Sequence, residues 1–157
     1  MSCSEPVEVQ AYGSKKAVKR YENVEDIYVA IYRMEDGCIG RVVTAAGMVR
    51  PYSLSIRLYG LKASFEQDTL PWNLTGKICT SSGEGFNLEP IKVPPEPQVP
   101  VRVHGAADYL QALDFLRSIL EDKKPAIDVY EGVKTTAACI AAVKAAEKGI
   151  RVRIPRF

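Results

Sequence analysis

The sequence predicts an α+β fold: a mostly antiparallel open sheet, with helices packed on one face and the other face available for dimerisation. Two observations predict it. Apolar and polar residues alternate with period 2 through most of the first half, whereas helical spacing governs the stretch from Tyr109 to Ala146. Strands grouped before helices, instead of alternating with them, point to antiparallel pairing with the helices gathered on one side. A chain of 157 residues is one domain's worth and long enough to bury a core, so residues 1–157 are read as a single domain.

The elements follow in order. Val7–Tyr12 alternates and stops at Gly13, as a half-buried strand does. The polar, basic stretch 15–25 reads as a loop. Ile27–Met34 places Ile27, Val29 and Ile31 on one face and Tyr28, Ala30 and Tyr32 on the other. Asp36-Gly37 then predicts a two-residue type I′ hairpin returning through Cys38–Ala45. Ser53–Tyr59 is the cleanest alternation, with Leu54, Ile56 and Leu58 toward a core. Gly60-Leu61-Lys62 turns it into a strand over Ala63–Gln67, and a weaker strand covers Gly76–Thr80.

Residues 81–100 carry two glycines and five prolines, which predicts an extended crossing outside the main sheet. Tyr109, Leu110, Leu113, Leu116, Ile119 and Leu120 form one apolar stripe, so this helix is expected to be a main anchor of the fold. It should end before Pro125, leaving Lys123-Lys124 as a solvated helix end. Asp128, with Glu131 three residues on, reads as the N-cap of an alanine-rich helix that closes at Lys148-Gly149. Ile150, Val152 and Ile154 alternate with Arg151 and Arg153 in a final strand. The second sheet face is expected to carry Tyr28, Tyr32, Val42 and Tyr59, a mixture that suits a subunit interface or a ligand platform.

Composition narrows the function classes. Charged residues make up 25% and hydrophobic ones 46%, with a net charge of +2 and no basic run, which disfavours nucleic acid and anionic membranes. No apolar stretch is long enough to span a bilayer, and no signal peptide opens the chain, so a cytoplasmic location is expected. Cysteines 3, 38, 79 and 139 are too dispersed for a metal site. Buried thiols are favoured over two disulfides. His104, the single histidine, has no carboxylate or nucleophile fixed near it in sequence and is read as a cap or surface residue.

The run from His104 through Tyr109–Leu120, Lys123-Lys124-Pro125, Asp128–Glu131 and Gly149–Pro155 resembles the carboxyl end of the glucose–fructose oxidoreductase and inositol dehydrogenase (Gfo/Idh/MocA) family. Val24-Glu25-Asp26 before a strand, Asp36-Gly37 and Ile39-Gly40 are similar to the hairpin opening that family's C-terminal domain. Leu58-Tyr59-Gly60-Leu61-Lys62-Ala63-Ser64-Phe65 is similar to its glycine-turn strand pair, with Ala63 where a second glycine is usual.

The resemblance implies the substrate-side and oligomerisation domain of an NAD(P)-dependent oxidoreductase acting on a sugar- or polyol-like substrate. Partners would be a second copy of the chain through the open sheet face and a nucleotide-binding fold, in the same protein or as a separate chain. The family's Gly-x-Gly-x-x-Gly fingerprint, Glu-Lys-Pro triplet and Asp-x-x-x-His pair have no match in this sequence. No catalytic, cofactor-binding or metal residue is therefore assigned, and the chain alone is expected to be inactive. NAD(P) would belong to the intact enzyme. For substrate contacts the resemblance points to Arg50 and Tyr52, in a region from which family members present them; the other reading is a plain turn pair. Trp72 could stack on a sugar ring or simply anchor a loop. A stand-alone, non-catalytic interaction or ligand-binding module is the competing function.

Overall fold

The computed structural model describes residues 4–16, 25–70, 73–82, 85–91 and 107–157. They fold as α+β with two open four-stranded antiparallel sheets and two helices. The chain divides into two compact units, one built from the described residues up to Met48 together with Leu113–Phe157, the other from Val49–Ala112.

In the first unit, β1 (Pro6–Ser14), β2 (Ile27–Met34), β3 (Ile39–Ala45) and the short β8 (Val152–Arg153) pair in the order β3-β2-β1-β8. Opposite residues of antiparallel strands share a face. The pairs Val9↔Tyr32, Ala11↔Ala30 and Val9↔Val152 therefore build one side of the sheet. Helix α2 (Val129–Lys148) lies on that side. Ala141, Ala142 and Ala145 meet Val9, Ala11, Ala30 and Ile154 in the buried core, with Tyr32, Ala137, Ala138, Ala146 and Val152 packed around it. Alanine's lack of bulk lets helix and sheet approach closely, and the Tyr32 hydroxyl reaches across to donate to the Ala138 carbonyl at 3.3 Å. Burial raises the Tyr32 phenol above its ordinary pKa, with Cys139 contributing less.

Both ends of α2 are closed as the sequence predicts. Asp128 is extended and its carboxylate accepts from the Glu131 N–H at 3.0 Å. Gly149 sits at φ 63° and returns its N–H to the Ala145 carbonyl, a left-handed conformation that side chains other than glycine's resist. Lys123 and Lys124, expected to be simply solvated, are exposed but paired, with Glu121 at 2.6 Å and Asp128 at 2.7 Å.

The hairpin between β2 and β3 forms, but not as the predicted type I′ turn. Among the described non-glycine residues only Asp122 has positive φ, so Asp36 cannot occupy the first central position of that turn. Instead the Gly37 N–H donates to Met34 O at 3.1 Å and Met34 N–H to Cys38 O at 2.8 Å, with Gly37 at φ 88°. This is a three-residue loop with a glycine bulge. Asp36 steadies it by accepting from the Cys38 N–H at 3.0 Å.

The outer face of this sheet also differs from expectation. Tyr28, Tyr32 and Val42 lie on the helix side by register, and the open side carries Tyr12, Ile31, Ile39 and Val43, all substantially exposed. Tyr28 is accordingly shifted upward in pKa by burial first, then by Glu25 and by Glu147 of α2. Alternation gives two faces but not their sign: a strand with apolar residues on both sides offers no periodic cue to which side the helix covers.

In the second unit, β4 (Leu54–Tyr59), β5 (Ala63–Leu70), β6 (Asn73–Ser82) and β7 (Gly85–Pro90) follow one another as a meander. Gly60 closes the first hairpin, donating its N–H to Ala63 O at 3.0 Å. Strand β7 corrects the expected irregular crossing, since Ser82↔Gly85 through Lys77↔Pro90 pair in register. Its one proline ends an edge strand, where a missing donor costs least. The remaining prolines, from Pro94 to Pro100, lie outside the described residues.

Helix α1 (Ala107–Leu120) ends where expected, with Asp122 at φ 50° and Lys123 N–H closing on Ser118 O at 2.8 Å. It is not the anchor its stripe suggests: Leu116, Ile119 and Leu120 are exposed, whereas α2 carries the core. The cysteines also depart from expectation. Cys38, Cys79 and Cys139 are free, but none is buried, and Cys3 lies outside the described residues. Among the described residues no helix is long and apolar enough to cross a membrane.

Candidate functional site

The second unit concentrates hydrogen-bonding side chains on one sheet face. The register Leu54↔Thr69, Ile56↔Gln67 and Leu58↔Phe65 puts the apolar residues of β4 on one side. Ser55↔Asp68, Arg57↔Glu66 and Tyr59↔Ser64 occupy the other. There the Ser55 hydroxyl donates to Asp68 Oδ1, and the Arg57 guanidinium donates to the same carboxylate at 3.2 and 3.4 Å. The Tyr59 hydroxyl donates to Glu66 Oε1 at 3.0 Å. Arg50, in the segment leading into β4, donates to the Ser53 hydroxyl and lies close enough to Asp68 to stabilise its charge.

Asp68 is held below the ordinary carboxylate range, chiefly by the Ser55 hydrogen bond; desolvation, next in size, opposes it, and Arg57 and then Arg50 lower it further. A depressed folded-state pKa contributes stability that is present above the unfolded value and lost as pH falls through the folded one. Carboxyl-detected NMR should accordingly show Asp68 titrating below a free aspartate. Ser55→Ala should move its midpoint up toward the ordinary value; an unmoved midpoint would mean that the hydroxyl does not hold the carboxylate in solution.

Two of the three expected substrate residues can be placed. Arg50 joins the polar face. Tyr52 is exposed and has no hydrogen-bond partner among the described residues, which leaves its hydroxyl accessible. Trp72 lies outside the described residues, as does His104. Tyr59 was expected on a face suited to an interface or ligand platform, but Ser55, Arg57, Glu66 and Asp68 were not singled out from sequence. Their signal was available: the Gly60 turn pairs Tyr59 with Ser64 and so sets Asp68 opposite Ser55. Guanidinium donors, carboxylate acceptors and hydroxyls on one face suit recognition of a neutral polyhydroxylated molecule. Among the described residues no group of three or more His, Cys, Asp or Glu side chains could hold a metal.

The described residues do not fit a dinucleotide. A pyrophosphate site needs a glycine-rich turn between a strand and a helix N-terminus with free N–H groups. The N-terminus of α2 follows a loop from α1, and the Asp128 carboxylate already occupies it. A phosphate would meet a negative charge there.

Comparison with known proteins shows the family. A family model described as "Oxidoreductase family, C-terminal alpha/beta domain" (GFO_IDH_MocA_C) matches residues 4–154. No protein of curated function matches the chain. Among solved structures, aldose–aldose oxidoreductase from Caulobacter crescentus, complexed with glycerol, is 23% identical at TM-score 0.73, the match covering 96% of this chain and 42% of that one. Levoglucosan dehydrogenase in complex with NADH is 16% identical at TM-score 0.79, covering 98% of this chain and 46% of that one. UDP-N-acetylglucosamine 3-dehydrogenase from Acidithiobacillus ferrooxidans is 21% identical at TM-score 0.67, covering 92% and 42%. The chain thus spans less than half the length of each of these structures. With the family model matched over nearly every residue, the chain belongs to the Gfo/Idh/MocA oxidoreductase family as its C-terminal α/β domain.

Proposed function

We propose that this chain is the substrate-side and oligomerisation part of an NAD(P)-dependent oxidoreductase acting on a sugar- or polyol-like substrate. The observation that carries the reading is the polar face of the second sheet, where Arg50, Ser55, Arg57 and Asp68 form one connected set of donors and acceptors. Such a set can bind several hydroxyls at once while doing no chemistry itself. Arg50, Tyr52 and Trp72 would contribute substrate contacts. The relatives solved with glycerol and with NADH support the substrate and cofactor classes.

Hydride transfer and proton handling would come from a nucleotide-binding fold, in the same protein or on a separate chain. The isolated chain is expected to show no turnover and no tight NAD(P)H binding. A homodimer would form through the open face of the first sheet, where Tyr12, Ile31 and Val43 leave apolar surface in water.

Mixing the chain with a nucleotide-binding partner of the same family should restore NAD(P)-dependent oxidation of a sugar or polyol. In that pair, Arg50→Ala should raise KM about tenfold with little change in kcat, since a charge-assisted hydrogen bond is worth about 1.5–3 kcal/mol. Tight NAD(P)H binding by the isolated chain would overturn the assignment, and a monomer by light scattering at high micromolar concentration would overturn the dimer.

A further inference from the structure

A second chemistry-bearing place lies in the first unit, at the turn end of its sheet, where Glu8, Arg33 and Arg153 stand on the open face at the margin of the apolar surface given above to the dimer. A cleft of about 610 Å³ opens between the start of β1, the β2–β3 turn and the last residues of the chain. Arg33, Arg153 and Arg156 line it with Glu8 and Glu35, beside the apolar Val7, Met34 and Ile154.

The strand register arranges these charges. Arg33 and Arg153 are the cross-strand partners of Glu8 on its two sides. Two strand spacings separate them, about 10 Å, within reach of two arginine stems converging on one small group. The acids are already engaged. Glu8 Oε2 takes Arg33 at 3.2 Å, its Oε1 takes Arg151 at 3.3 Å, and this carboxylate is largely shielded from solvent. Glu35 takes Arg156 at 2.7 Å. Arg153, directly opposite Glu8, has no ion-pair partner among the described residues, because Arg151 holds the oxygen it would use. Arg153 lines the cleft with no hydrogen bond or ion pair to another described residue, and the lining, three arginines against two glutamates, is positive in balance.

We infer that this cleft is a binding site for a small organic oxyanion, a phosphate ester or polycarboxylate, with the anionic head on Arg153 and Arg33 and the carbon body against Val7, Met34 and Ile154. A planar guanidinium fork matches carboxylate and phosphate oxygens two at a time, which an ordinary salt ion cannot reproduce. This site is separate from the polar face of the second sheet and does not depend on the substrate reading made there.

The test is a titration of the full chain with inorganic phosphate, phenyl phosphate and citrate at constant ionic strength, followed by backbone amide NMR. Saturable shifts at Arg33, Gly37 and Arg153 are expected, with phenyl phosphate binding at least threefold more tightly than inorganic phosphate because it alone has a body for the apolar wall. Citrate binding at the same amides would mark a polycarboxylate as the source, and citrate failing while phenyl phosphate binds would mark a phosphate ester. Arg153→Gln should weaken binding at least tenfold, while Arg41→Gln, on the same face but outside the cleft, should leave it unchanged. Circular dichroism of both variants checks the fold. Shifts that merely follow sodium chloride, or an Arg153→Gln affinity within twofold of the parent, would overturn the site.

Discussion

Ala145→Leu is expected to destabilise the first unit by about 1–3 kcal/mol, the range in which overpacking of a well-filled core falls. Ala145 is fully buried where α2 crosses the sheet, and its neighbours in the core are Val9, Ala11, Ala30, Ala141, Ala142 and Ile154. A leucine would add three heavy atoms to a contact that exists because both surfaces are small. The helix can respond only by lifting away, which stretches the Tyr32 hydroxyl from the Ala138 carbonyl. Chemical denaturation should show a lower midpoint with an unchanged slope. The same substitution at Lys144, one position along and exposed, should be nearly silent. Equal losses at the two positions would show that α2 does not pack by this face.

Asp26→Ala is expected to cost about 1–3 kcal/mol, the range for removing a charged hydrogen-bond acceptor from a part-buried backbone donor, here the Lys16 N–H. Asp26 is 6% exposed although it is an acid, and both its oxygens accept from the Lys16 N–H, at 3.2 and 3.0 Å. Its own N–H donates to Ser14 O at 3.0 Å and its carbonyl accepts from Ala46 N–H at 2.7 Å. One residue thus ties the end of β1, the start of β2 and the end of β3. Asp26→Asn keeps one acceptor and the same shape, so its loss should be smaller than alanine's. Hydrogen exchange should report faster opening at Lys16 in both variants, and a protected Lys16 amide in Asp26→Ala would refute the clamp.

What the sequence disclosed and what it concealed follow from the range of the forces involved. The caps of α2 are local: Asp128 to Glu131 and Gly149 to Ala145 each span one turn, and both were readable from residue type and spacing. The β4–β5 hairpin was equally local, fixed by Gly60. The turn at Asp36-Gly37 was half readable, because the dipeptide demands a positive φ at glycine but leaves the loop length to the strand register. Strand β7 was hidden by prolines that follow it and by Pro90 at its last position, where an edge tolerates the missing donor. The burial of α2 and the exposure of α1 reverse what apolar bulk alone suggests, since close packing favoured the alanine face over the leucine stripe. The polar face of the second sheet needed both an alternation and a register, whereas Arg50 and Tyr52 came from the family resemblance alone.

The alanine-built core has a consequence for how this chain behaves as its concentration changes. Among the described residues the largest fully buried side chain is Val9, and five of the seven buried apolar residues are alanines. Such an interior removes little apolar area from water, so the reserve of free energy holding the first unit together is thin. Any partner that binds only the folded form adds to that reserve by mass action. In the homodimer proposed above, folding and assembly would become one equilibrium: dilution should lower the thermal midpoint, and a bound partner should raise it without altering a single internal contact.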